Sequence, residues 1–250
     1  MDPLLRHNPL IRFSVSHMIH AVATLLIFLL SGCGGEDTPR AGRQSAKPDT
    51  VAEDPTTTDS KRRILFFGDS ITAGYGVDPD DAYPAIIQDM IDENGWPFIA
   101  VNGGLSGETS AGGLRRIDWM LRQPVDVFVL ELGGNDGLRG VAVGATRSNL
   151  KAIIEKVREK YPDAAVVVAG MRLPPNLGRP FTNSFADIFP EVAEETGSEL
   201  IPFIGEDVIG RDRYIQMDGI HPNASGHEVI AETVWEYLEP ILEARLEPAS

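Results

Sequence analysis

From about residue 61 to the C-terminus, short apolar runs alternate with amphipathic helical patterns, and polar, glycine-rich segments fall where the first three runs end. No other feature constrains the fold of this chain as strongly. The runs are residues 64–67, 98–101, 125–131, 164–169 and 200–202. The third and fourth are almost continuously apolar, as strands covered on both faces must be. The helical patterns cover 83–94, with Pro84 in its first turn, then 109–122, 146–160, 185–196 and 224–246. Strands that alternate with helices need crossover connections. The order therefore predicts an α/β fold, a three-layer α/β/α sandwich around a five-stranded, mostly parallel sheet, in one catalytic domain over 62–250.

The residues before 62 lack that pattern. Arg6 and Arg12 form a weakly basic leader, residues 21–30 are an apolar run, and Leu30-Ser31-Gly32-Cys33 follows at once. A membrane span needs about 20 apolar residues, so the run reads as the core of a signal peptide over 1–32. The tetrad resembles the bacterial lipobox, which implies a lipid on Cys33 and an exported, membrane-anchored lipoprotein facing the periplasm or cell exterior. An ordinary export signal with an incidental cysteine is the alternative. Gly34 stands where an inner-membrane retention signal would place Asp, which points to the outer membrane. Residues 33–61 are the lipidated cysteine and a linker, since Gly, Pro, Thr, Asp, Lys and Ala supply no core.

Removing the signal changes the inventory. The full chain has 22 Lys+Arg, 37 Asp+Glu and a formal charge of −15, and residues 1–32 carry two of the basic residues and one acid, so the exported chain has −16. So acidic a surface, with no basic patch, opposes a nucleic-acid partner. Three of the five histidines also lie in the signal, leaving His221 and His227. With one cysteine and two histidines, the expectation is no metal centre. Asp78, Asp80 and Asp81 lack the glycine and terminal glutamate of an EF-hand and read as solvated turn acids.

In open parallel sheets the chemistry sits beyond the carboxyl ends of the strands. Gly68-Asp69-Ser70, 102–109, Gly133-Gly134-Asn135-Asp136-Gly137 and Asp218-Gly219-Ile220-His221-Pro222 are placed to converge there. Ser70, two residues past a strand, is a candidate nucleophile, and a helix N-cap is its ordinary alternative. His221 is the natural base. Pro222 biases it to extended backbone, and the preceding turn can fold Asp218 onto one ring nitrogen, leaving the other to accept the Ser70 proton. His227 lies inside the last helical pattern and reads as structural or solvent-facing. A developing oxyanion would find donors at Gly107 and Asn135, although Asn135 is also a natural left-handed turn residue.

Taken together, Gly68-Asp69-Ser70-Ile71, Gly107, Gly134-x-Asp136 around Asn135, and Asp218-x-x-His221-Pro222 resemble the four sequence blocks of the SGNH (GDSL-type) hydrolases, in order and spacing. The segments 102–109, 131–140 and 171–176 narrow the likeness to the bacterial thioesterase/lysophospholipase subgroup, often labelled arylesterases. The resemblance implies a flavodoxin-like fold and a serine esterase cleaving small acyl-ester, thioester or lipid substrates without a cofactor. It makes Ser70 the nucleophile, His221 the base and Asp218 its orienting acid, with Ser70, Gly107 and Asn135 as the oxyanion hole. It also implies an acyl pocket lined by Leu173, Pro174, Pro175 and Leu177, and the chain is expected to act as a monomer. Phe181, Phe185 and Phe189 recur at helical spacing and read as core. The alternatives are a carbohydrate O-deacetylase with a shallow polar cleft and a non-catalytic envelope lipoprotein.

Overall fold

The computed structural model describes residues 61–246. The signal peptide, Cys33 and the linker up to residue 60 lie outside the described residues. Five strands form the sheet: β1 (Arg62–Gly68), β2 (Phe98–Asn102), β3 (Val127–Glu131), β4 (Ala165–Ala169) and β5 (Glu199–Ile201). Every pairing is parallel and the order is β2-β1-β3-β4-β5. The chain steps outward from β1 to β2, then returns to the other side of β1 to place β3. The crevice at that reversal, between the ends of β1 and β3, is where open sheets of this order bind ligands.

Among the described residues seven α-helices accompany the strands: α1 (Ser70–Ala73), α2 (Tyr83–Glu93), α3 (Ser110–Met120), α4 (Gly134–Leu138), α5 (Val143–Lys160), α6 (Arg179–Thr196) and α7 (Ala224–Leu246). Alternate strand residues point to opposite faces, and the core divides accordingly. Leu65, Phe67, Phe128, Leu130, Val166 and Val168 pack under α3, α5 and α6. Ile64, Phe66, Val127, Val129 and Val167 pack under α2 and α7. Both layers are fully buried, which explains the unbroken apolar runs. Phe185 and Phe189 of the predicted stripe are core residues and Phe181 packs partly against them.

The departures from expectation are local. Helix α6 begins six residues before the predicted start and α5 three. Pro180 in the first turn of α6 presets the backbone through Thr182-Asn183-Ser184, which are poor helix formers on their own. Helices α1 and α4 lie inside the segments read as loops. At four and five residues they are too short to show a period.

Candidate active site

Ser70 opens α1 directly after β1. Asp69 caps that helix, its Oδ1 accepting the Ile71 amide at 3.2 Å. The chain can turn this sharply because position 68 is glycine: a Cβ there would overlap Thr72 Oγ1 and Glu131 Oε2. His221 arrives from the opposite end of the sequence. Its Nε2 lies 3.0 Å from Ser70 Oγ, and its Nδ1 lies 2.6 Å from Asp218 Oδ2. Asp218 also accepts the amides of Ile220 and His221 at 2.9 and 3.0 Å, so the turn clamps the carboxylate before the ring meets it. The His221 ring bond, with those two amides, holds the Asp218 carboxyl down at about 2. A carboxylate fixed in ionised form keeps Nδ1 as the protonated nitrogen and leaves Nε2 to accept.

Two further loops join the same edge. The Asn135 Nδ2 donates to Asp69 Oδ2 at 3.0 Å, tying the loop after β3 to the loop after β1. The loop after β2 is held by Leu105 N–H to the Gly68 carbonyl at 3.0 Å, and by Arg139 Nη2 to the Gly107 carbonyl at 3.1 Å. Gly107 has φ +78°, a left-handed conformation that glycine adopts without cost. Among the described residues, neither the Ser70 nor the Gly107 amide donates to another protein group. The structure therefore joins Ser70, His221 and Asp218 in one hydrogen-bonded chain, sets Asn135 beside it through Asp69, and carries Gly107 on the loop after β2 that is tied to the same edge.

Buried acids behind the serine escaped the sequence reading. Glu131, at the end of β3 and level with Gly68, is fully buried. Its Oε2 accepts Thr72 Oγ1 at 2.7 Å, Asp69 N–H at 3.2 Å and Thr72 N–H at 3.3 Å. Burial, reinforced by the neighbouring Asp69, pushes its carboxyl well above the usual carboxylate range. Burial also lifts Asp69 to about 6, against the pull of the Ile71 and Asn135 hydrogen bonds. Asp136 holds the loop from the other side, accepting Ser110 Oγ at 2.6 Å and Ser110 N–H at 2.8 Å. An acid next to a catalytic serine, or ending an apolar strand, was the available signal.

His227 does not face solvent. It is 1% exposed and stacks on Tyr83 with ring centroids 6.4 Å apart, which leaves the structural reading standing. The ring packed on His221 is Tyr75, whose centroid lies 4.6 Å from that of His221. Asp78, Asp80 and Asp81 are exposed in a short 3₁₀ turn, as solvated turn acids should be.

Beside the serine opens an apolar pocket of about 200 Å³, lined by Ile71, Leu138, Met171, Leu173, Pro174, Phe203, Ile209 and Ile220 among others. Leu173 and Pro174 are thus where they were expected. Pro175 and Leu177 are not in the lining; they stand in an exposed 3₁₀ turn, with Leu177 39% exposed. Phe203 and Ile209 take that part of the wall, from the irregular segment between β5 and α7, which carries no periodic pattern.

A loop-borne serine, histidine and aspartate at the switch point of a parallel sheet define a serine hydrolase. Residues 66–229 match the model of the GDSL-like Lipase/Acylhydrolase family, and the chain belongs to that family. It is a carboxylic ester hydrolase. Over 180 residues, 72% of this chain, it is 38% identical to Esterase TesA of Pseudomonas aeruginosa, covering 89% of that protein. Over the same length it is 37% identical to thioesterase 1/protease 1/lysophospholipase L1 of Escherichia coli, covering 84% of that protein. Among solved structures, a crystal structure of TesA superposes with a TM-score of 0.69 at 37% identity, with 72% of this chain covering 99% of that one. The psychrotrophic esterase EstA from Pseudoalteromonas sp., inhibited by monoethylphosphonate, also gives 0.69, at 31% identity, with 73% of this chain covering 99% of it. In both solved structures the matched part of this chain accounts for nearly the whole of the other chain.

Proposed function

We propose that this protein hydrolyses carboxylic esters and thioesters of apolar acyl chains through an acyl-enzyme on Ser70. The observation that carries the reading is the continuous relay from Asp218 through His221 to Ser70, with contacts of 2.6 and 3.0 Å. Ser70 Oγ attacks the acyl carbon while His221 Nε2 takes its proton. The carbonyl π pair moves to oxygen, and the Ser70 and Gly107 amides with the Asn135 carboxamide receive the negative charge. Collapse expels the alcohol or thiol, which leaves with the proton held by His221. Water, deprotonated by the same nitrogen, then cleaves the acyl-serine, releasing the acid and restoring the hydroxyl. The apolar wall of the adjoining pocket favours acyl chains over the shallow polar cleft a carbohydrate deacetylase needs.

The test is labelling of the chain from residue 61 with a fluorophosphonate, together with hydrolysis of p-nitrophenyl esters of increasing chain length, against Ser70→Ala. Covalent labelling and hydrolysis that both vanish in Ser70→Ala are expected. Label on another residue, or hydrolysis surviving in the variant, would overturn the assignment. The relay is complete within one chain, which supports action as a monomer. The Leu30-Ser31-Gly32-Cys33 tetrad after the apolar run supports export and lipid attachment at Cys33, with the domain held at a bacterial membrane. Mass spectrometry of the mature N-terminus tests this: a diacylated Cys33 is expected, and a free Cys33 thiol refutes it.

A further inference from the structure

We propose that Asp69 is the positioning residue of the oxyanion site: its carboxylate holds the Asn135 carboxamide with nitrogen toward the catalytic edge. This rests on the reading of Asn135 as an oxyanion donor. A carboxamide has an accepting and a donating end of nearly the same shape, and the wrong end would set an oxygen lone pair against the oxyanion. Something must fix the orientation. Asp69 does so because an ionised carboxylate can only accept, so the atom 3.0 Å from its Oδ2 has to be Asn135 Nδ2. One N–H is thereby spent on Asp69, and the second is left for the substrate oxygen.

Helix capping alone does not account for an aspartate at this position. The cap uses only Oδ1, which accepts the Ile71 amide at 3.2 Å, and serine, threonine or asparagine would serve equally. The task peculiar to a carboxylate is to offer a second acceptor on the same planar group. Asp69 is itself held rigidly: it is 2% exposed, and its backbone N–H donates to Glu131 Oε2 at 3.2 Å. Glu131 also binds the Thr72 amide and hydroxyl, so the turn is pinned on both sides of Ser70. The position of the serine and the orientation of the carboxamide therefore derive from one buried anchorage.

The roles separate chemically. In Asp69→Ser the hydroxyl still caps α1 and Asn135 loses its acceptor. In Asp69→Asn one oxygen cannot serve both donors, and the new NH₂ faces a donor. Turnover of a p-nitrophenyl ester is compared among wild type, Asp69→Ser, Asp69→Asn, Asn135→Ala and the double variant Asp69→Asn/Asn135→Ala, in the chain from residue 61. Both Asp69 variants should lose kcat by about 10²-fold, with KM nearly unchanged, as on losing an oxyanion donor. Against Asn135→Ala, adding Asp69→Asn should cost little more, because the group it positions is already gone. Equal losses in both backgrounds would assign Asp69 a general structural role and overturn the proposal, as would full activity in Asp69→Asn. If Asn135→Ala itself kept full kcat, the oxyanion reading would fall first and take this proposal with it.

Discussion

Substituting His227 should abolish one specific component of acid sensitivity. The imidazole is 1% exposed, neither nitrogen has a partner among the described residues, and the ring lies nearly parallel to Tyr83 at an interplanar angle of 14°. Burial, with a smaller contribution from the nearby His221, lowers its protonation to about pH 4. In the unfolded chain a histidine takes its proton near pH 6.5, so between about 6.5 and 4 the unfolded state binds the extra proton and stability falls with pH. At about 1.36 kcal/mol per pH unit the whole interval is worth about 3 kcal/mol. Asp69 acts with the opposite sign: its carboxyl, lifted to about 6, is protonated in the folded state first and favours folding as pH falls toward its ordinary value. The raised Glu131 carboxyl acts with the same sign as Asp69, so wild-type stability alone mixes all three. The decisive quantity is the difference between wild type and His227→Phe in urea unfolding from about pH 8 to about pH 4.5, with m-values checked for constancy. That difference should be constant above about pH 6.5 and shift progressively in favour of the variant below it. Parallel curves over the whole range would show that His227 is not buried in neutral form.

Two other substitutions probe the frame of the site. Gly68→Ala introduces a methyl that overlaps Thr72 Oγ1 and Glu131 Oε2, and should cost about 3 kcal/mol in chemical denaturation together with most of the fluorophosphonate reactivity. Asp218→Asn removes a carboxylate held at about 2 and should lower kcat by about 10²–10⁴-fold without altering the thermal midpoint much; a variant as active as wild type would remove Asp218 from the relay.

The legible part of this protein is what period and punctuation encode. The apolar runs marked five strands because both faces of the sheet are covered, and Pro84 and Thr109 marked helix starts. Thr109 caps α3 by accepting the Gly112 amide at 3.2 Å. The five predicted site residues were readable because each is a glycine or stands within two positions of a glycine or proline that shapes its turn. The hidden part depends on partners distant in sequence. Helix α4 is built from Gly134 and Gly137 and forms because Asp136 is gripped by Ser110 and Thr146, not through local propensity. The family resemblance puts Pro175 and Leu177 in the pocket, but both lie exposed in a 3₁₀ turn outside its lining. Ile209 and Ile220 entered it from an irregular segment whose course is fixed by contacts such as Gln216 Nε2 to the Tyr75 carbonyl at 2.7 Å. The carboxylate of Asp69 was hidden for the same reason, since its second partner lies 66 positions away.

Ser70 and His221 meet across 151 positions of sequence. Ser70 opens α1 just after β1 and His221 stands in the turn that introduces α7, with β2 to β5 in between. A nascent or C-terminally truncated chain holds the serine without its base, and is inert toward esters however much of its sheet has formed. Hydrolytic competence thus appears only with closure of the whole domain. Turnover can serve as a direct readout of complete folding, and any proteolytic cut that frees residues 218–246 should silence the enzyme in a single step.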